Sequence, residues 1–381
     1  MRKIHLFYLI ALFSFFAKAQ NSPSYSNEFL QIGVDASAFA KAGAVVASTD
    51  NVNAVYWNPS ALTRLDDKQL SLMHSSYYAN IANYDYAAFA MPLDATTQNE
   101  FPANNALNTG VVGFAFYRFG VDNILDTRNL VGDDGAVVSV ANLNRFSAVD
   151  YAFTISFAKK YKQSPLSFGG TVKIIRRIIG DFASSWGVGI DAGLFYKKNL
   201  SSWSYGLKVS DLTTTYNAWS IDDAIFVVDN DQDNNALSDY QLLLDAQQVP
   251  NDVEITIPSV QFGVNRSFDL KKNFSLDLEL DMFMRFIESS AIISTSIFSI
   301  TPSIGFSLDY SKMVFIRAGV GNFQNEINFD NSQQVIFDPS LGVGVHYRGF
   351  SIDYALTNIG STESGQFSHV FSLLMDWQVF E

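Results

Sequence analysis

Apolar and polar side chains alternate along most of this chain with a period of two, the signature of strands that keep one face in oil and the other in water. From Phe274 one parity reads Phe274, Leu276, Leu278, Leu280, Met282, Met284 and Phe286, and the other Ser275, Asp277, Glu279, Asp281, Phe283 and Arg285. The run from Trp186 repeats the pattern, with Trp186, Val188, Ile190, Ala192, Leu194 and Tyr196 set against Gly187, Gly189, Asp191, Gly193 and Lys197. Such runs exceed the five or six residues usual for a soluble strand and suit a tilted membrane crossing of about 9–11 residues with extensions.

The alternation predicts strands near residues 68–79, 83–93, 107–119, 145–160, 164–178, 182–197, 200–212, 253–268, 272–286, 296–310, 312–322, 337–347, 350–358 and 367–380. Fourteen is an even number, so an antiparallel sheet can close its last strand onto its first and leave no edge unpaired in hydrocarbon. After the fourth strand every second link is short, around Tyr161-Lys162-Gln163, Lys198-Asn199, Asp269-Leu270-Lys271, Ser311 and Arg348-Gly349. The alternate links are mostly longer, including 120–144, 213–252 and 323–336, with 213–252 expected as a long extracellular loop. Short periplasmic turns facing long outer loops are typical of transmembrane barrels, although residues 94–106 depart from the rule.

Composition sharpens the choice between this fold and a soluble sandwich. The chain holds 33 Phe and 17 Tyr, with only 9 Pro and 17% charged residues. A soluble sandwich has shorter strands and a polar outward face. Here the apolar face is broad and aromatic, so Trp57, Trp186, Trp203, Trp219, Trp377 and the tyrosines supply both interfacial belt residues and packing residues.

The first nineteen residues read as a secretory signal: Arg2 and Lys3, an apolar stretch from Ile4 to Phe16, then Ala17-Lys18-Ala19 before a cut at Gln20. The apolar stretch falls short of the ~20 residues that a spanning helix needs. Cleavage leaves 22 basic against 38 acidic residues, which argues against nucleic acid, whose binding requires a basic patch. Cysteine is absent, excluding a disulfide framework, thiol chemistry and a lipid anchor on a new N-terminal cysteine.

Residues 20–66 do not alternate and form a separate segment ahead of the barrel at 67–381. Val34 to Ala44 reads as a helix of small residues, able to pack closely as a plug in a lumen or as a periplasmic extension that seals it. Pro59 disfavours helix at Asn58, so the pair marks a turn or a helix start.

This segment resembles the N-terminal signature of the PorV/PorQ family, within the wider group of FadL-like barrels. The matching residues are Gly33, Asp35 and Ala36, then Ala42-Gly43-Ala44, Asp50 and Asn53, and Trp57-Asn58-Pro59-Ser60-Ala61-Leu62. Ala38 to Ala40 and Ser60 depart from the family, which commonly has more glycine in the helix and alanine after the proline. The motif spans about 35 residues. What the resemblance implies is a fourteen-stranded barrel with an N-terminal hatch, working in the type IX secretion system of Bacteroidetes. There it would partner the large translocon barrel and receive secreted cargo by its C-terminal domain.

Candidate chemistry is sparse. His74, His346 and His369 lie in or at the ends of predicted strands with no acid at metal-ligand spacing in sequence, and no Gly-x-Ser-x-Gly is present, so no enzyme is expected. Asp277, Glu279 and Asp281, with Arg285, are expected to point into a wet lumen if the apolar parity faces lipid. Asp229, Asp231, Asp233 and Asp239 in the long loop resemble an oxygen-ligand calcium loop. Asn234 replaces the turn glycine and Tyr240 stands where the bidentate glutamate belongs, so a solvated acidic loop is the competing reading. The leading reading is a docking barrel of a secretion system; the runner-up is a FadL-like transporter of hydrophobic small molecules, and a structural or adhesive surface protein comes third. The acidic parity at 275–281 argues mildly against an oily path.

Overall fold

The period-two segments pair in sequence order, as expected where neighbouring strands are joined by short links. A computed structural model describes residues 26–77, 81–93, 110–127, 139, 143–162, 164–221, 253–270, 273–327, 332–358 and 367–377. Its ladder segments are β1 Gln69–Tyr77, β2 Ala82–Pro92, β3 Val111–Leu125, β4 Arg145–Lys160, β5 Leu166–Ile179, β6 Ala183–Tyr196, β7 Trp203–Ser210, β8 Thr215–Ile221 and β9 Val253–Thr256. They continue with β10 Ser259–Asp269, β11 Phe274–Arg285, β12 Ile293–Ser294, β13 Ser299–Tyr310, β14 Val314–Ile327, β15 Gln333–Tyr347, β16 Phe350–Thr357 and β17 Ser368–Asp376.

These segments make fourteen wall strands. β7 and β8 both pair with β6 and form one interrupted strand, β9 and β10 form the next, and β12 is a two-residue arm beside β13. β1 pairs antiparallel with β17, from Gln69 opposite Asp376 to Ser76 opposite His369, and the sheet closes. Closure leaves no strand edge in the wall, the condition hydrocarbon imposes on a sheet.

The two parities face as the alternation requires. On β6, Trp186, Val188, Ile190, Leu194 and Tyr196 are exposed on the outer surface, while Ser185, Asp191 and Phe195 are buried inside. On β11, Leu278, Leu280 and Met282 point out, and Glu279 and Asp281 point in. An apolar band around a closed antiparallel wall is the architecture of a multi-pass barrel of a Gram-negative outer membrane. Among the described residues no helix is long and apolar enough to cross a membrane.

Three irregularities lengthen the wall beyond the sequence expectation. Ladder register shifts between Val121 and Ile124 in β3, which runs on to Leu125, and between Gly321 and Gln324 in β14, which runs on to Ile327. Each insertion flips the parity and hides the continuation of the strand. Between β7 and β8, Asp211 and Thr214 take positive φ, 54° and 63°, so the chain re-enters the wall as β8 inside the stretch read as loop from 213. The link that remains, 222–252, lies outside the described residues together with Asp229, Asp231, Asp233 and Asp239 of the calcium reading. The tryptophans divide: Trp186, Trp203 and Trp377 are exposed, whereas Trp57 is buried in the interior and the half-buried Trp219 donates from Nε1 to Glu254 at 3.0 Å.

Residues 26–66 lie within the barrel. They form a 3-10 turn at Glu28–Gln31, helix α1 Ala36–Phe39, helix α2 Ala54–Trp57 and a 3-10 turn at Pro59–Arg64, in place of the single helix expected from Val34 to Ala44. Gly33 and Gly43, at φ 106° and 74°, bracket α1, because the small residues are used to bend the chain tightly.

Candidate functional site

The plug is seated by named contacts on the wall. Asp35 caps α1 at φ 74°, a conformation costly for any residue but glycine and held by several bonds. Its Oδ1 accepts from the Ser37 amide at 3.2 Å and from the Ser372 hydroxyl at 2.8 Å, and its Oδ2 accepts from the Ser37 hydroxyl. Ser372 also accepts from the Ala36 amide at 3.1 Å, which ties α1 to β17. Trp57 donates from Nε1 to the Val34 carbonyl at 3.0 Å, and its ring lies against Gly33 and Gly43, where a side chain would crowd it.

Asn58 is extended at ψ 99°, as a residue before proline should be, and caps the turn that Pro59 begins by accepting from the Ser60 amide and hydroxyl. Its amide donates to the carbonyls of Val46, at 3.0 Å, and Leu194, at 3.1 Å, bridging plug and wall. The wall is stripped to glycine where plug backbone touches it: Gly169 lies on Pro59 and Ser60, Gly206 on Val46, Gly319 on Lys41 and Ala42. A Cβ at any of these positions would enter plug backbone.

Glu279 and Asp281 do more than line a wet lumen. Asp281 Oδ2 accepts from the amides of Val45 and Val46 at 3.0 and 3.1 Å, and Glu279 Oε1 from the amide of Ala47 at 2.6 Å. Both are buried, so the sequence expectation of water-screened acids is corrected: three successive plug amides fill the space and replace water as donors. Asp277, lower on the strand, accepts from Ser267, and Arg285, higher up, lies 3.8 Å from Glu28 of the plug. Burial raises the Glu28 carboxyl above its usual range, and Arg285 partly offsets the rise.

Above the plug a chamber of about 720 Å³ opens toward the long-loop end. Its floor carries Phe29, Phe39, Tyr56 and Trp57, and Tyr117 and Phe119 continue the aromatic surface up the wall. Tyr56 and Trp57 meet edge to face at 4.8 Å, and burial together with Tyr117 raises the Tyr56 phenol. Beside it, on the adjoining strands from β4 onward, stands a charged quarter. Lys173 bridges Asp191 at 2.8 Å and Asp211 at 2.6 Å, and Arg177 bridges Asp150 and Glu254, each at 2.9 Å. Lys208 places its ammonium 4.4 Å from the Tyr56 ring centroid. The aromatic floor escaped sequence reading because its members come from residues 29, 39, 56, 57, 117 and 119 and meet only in the closed barrel.

The histidines lie apart from this chamber. His74 and His369 point outward, and His346 stacks edge to face with Phe315. His74 does meet an acid, Asp85, at 2.7 Å, across strands where linear spacing could not show it.

No family model matches the sequence, and no curated protein does either. Solved structures do match. The toluene transporter TodX of Pseudomonas putida superposes with TM-score 0.51 at 11% identity, covering 91% of this chain and 99% of that one. The Ralstonia pickettii toluene transporter TbuX gives 0.50 at 12%, with the same coverage. At such identity the likeness concerns fold alone: this chain has a closed barrel like theirs.

Proposed function

We propose that the protein is an outer-membrane transporter of hydrophobic small molecules, in which the plug is the gate and the chamber above it the loading site. The observation that carries this reading is the aromatic floor formed by Phe29, Phe39, Tyr56 and Trp57, which offers an apolar landing surface inside an otherwise polar lumen. The toluene transporters that share the fold are consistent with it. The acids at 277–281, which weighed against an oily path, are largely covered by the plug and leave the floor apolar.

The secretion reading rests on the hatch motif. Asp35, Gly43, Trp57, Asn58 and Pro59 are used to seat the plug, so the motif marks a plugged barrel and carries no information about cargo. Translocon and cargo partners belong to that second reading.

Deletion of the protein followed by uptake of a labelled monoaromatic hydrocarbon at low concentration tests the choice. Uptake should fall and be restored by the intact chain but not by a Trp57→Arg variant. Unchanged uptake, with secreted proteins missing from the medium, would replace the transporter by the secretion component.

A further inference from the structure

One sector of the wall has its polarity reversed. Tyr196 and Trp186 on β6 are ten residues apart, which at about 3.3 Å per residue and a tilt of about 40° is about 25 Å, the height of an outer-membrane apolar band. Six to eight residues above the short-turn rim the outward side chains are apolar on most strands: Ile190 and Val188 on β6, Leu280 and Met282 on β11, Ile304 on β13, Leu341 on β15. On four adjacent strands they are not. His369 on β17, His74 on β1, Asp85 on β2 and Arg118 on β3 all face outward at five to seven residues above the rim.

These groups hold one another across the strands. His74 Nδ1 lies 2.7 Å from Asp85, Arg118 reaches Asp85 at 3.4 Å and Asp122 at 3.3 Å, and Tyr354 meets His369 Nδ1 at 2.8 Å. They are open to the surroundings, with 59% of the His74 side chain and 42% of Asp85 exposed. Behind them the inner face carries Tyr77, Tyr84, Tyr86 and Tyr117, each at most 2% exposed. Ionisable groups at membrane depth are expensive in lipid and mark contacts or pathways.

We infer that this stripe is the interface of a dimer of two copies of this chain. Both copies must keep their loops on the same side of the membrane, so the two-fold axis lies along the membrane normal and each residue meets residues at its own depth. Asp85 and Arg118 are direct cross-strand partners, each seven residues above the rim, at Pro92 and Val111. An axis between β2 and β3 therefore sets Arg118 of each copy against Asp85 of the other. Below them the outward pairs are Ala87 with Phe116 and Phe89 with Phe114, a column in which the small Ala87 admits close approach and the rings supply apolar area. The stripe holds both signs of charge side by side, the self-complementarity that an isologous contact needs.

The chain has no cysteine, so a single introduced one reports cleanly. Ala87→Cys in native outer membranes should give a disulfide-linked dimer of twice the chain mass on oxidation, and Leu280→Cys, on β11 of the far wall, should not. Arg118→Asp should lower the Ala87→Cys cross-linking yield at least fivefold, and adding Asp85→Arg should restore it; heat-modifiable gel migration confirms a folded barrel in each variant. Ala87→Cys protein that stays monomeric, or cross-links only to a different protein, overturns the dimer. So does a His74→Leu, Asp85→Leu, Arg118→Leu protein that becomes more heat-stable while its mass in nanodiscs stays that of one copy, because the stripe would then simply have faced lipid.

Discussion

Asp281 on β11 accepts hydrogen bonds from the amides of Val45 and Val46 through one carboxylate oxygen, at 3.0 and 3.1 Å. With Glu279 on the Ala47 amide at 2.6 Å, two acids of one wall strand hold three consecutive residues of the plug. This grip predicts how the plug is released.

Replacing both acids, Glu279→Gln with Asp281→Asn, keeps side-chain shape but puts an amide NH2 in place of one oxygen of each acid that holds the plug. About 1 kcal/mol is lost for each plug bond that weakens. The barrel should still fold and migrate as a heat-modifiable species, while its single-channel current in planar bilayers rises as the plug loosens. Unchanged current in a folded double variant would remove the acids from the gate.

Gly169 offers a steric counterpart. A Gly169→Val variant drives a side chain into the backbone of Pro59 and Ser60, and the barrel wall cannot retreat because β5 is paired on both sides. The plug should therefore become open to protease from residue 59 onward while the strands stay protected, a result that limited proteolysis with mass spectrometry would read.

Trp57→Ala removes a ring packed on Gly33 and Gly43 and a bond to Val34. Truncations of this size cost about 3–5 kcal/mol in a packed interior. The loss should appear as a lower unfolding temperature of the plug and weaker quenching of remaining tryptophan fluorescence by a hydrophobic ligand in the chamber.

Lys173→Met leaves Asp191 and Asp211 buried without their cation. Breaking a buried pair on one side costs about 3–5 kcal/mol. Adding Asp191→Asn and Asp211→Asn to that variant should return most of the loss in a denaturant titration, because the unpaired charges are then gone.

The wall was legible in the sequence wherever period two ran unbroken, as along β6 and β11, because lipid outside and a polar interior reward each parity separately. It stopped being legible at Asn123, Asp211 and Asn322, where a residue at positive φ inserts into the ladder and reverses the faces. The inward direction of Glu279 and Asp281 could be read from parity, but not their partners, which stand more than 230 residues earlier in the chain. Tyrosine suggested interfacial belts, yet Tyr77, Tyr84, Tyr86 and Tyr117 turned inward, and the charged residues between them took the outer surface. The chamber floor was beyond local pattern altogether, since aromatic residues scattered over one strand and three plug segments have no common period.

The bond between Ser372 and Asp35 joins residues 337 positions apart, the last strand of the barrel to the plug that precedes the first. The plug, which precedes every strand in the chain, thus finds this partner only when the last strand has arrived. Plug seating is therefore a late event in biogenesis, and a barrel that has failed to zip shut stays recognisable by an N-terminus that has nowhere to dock.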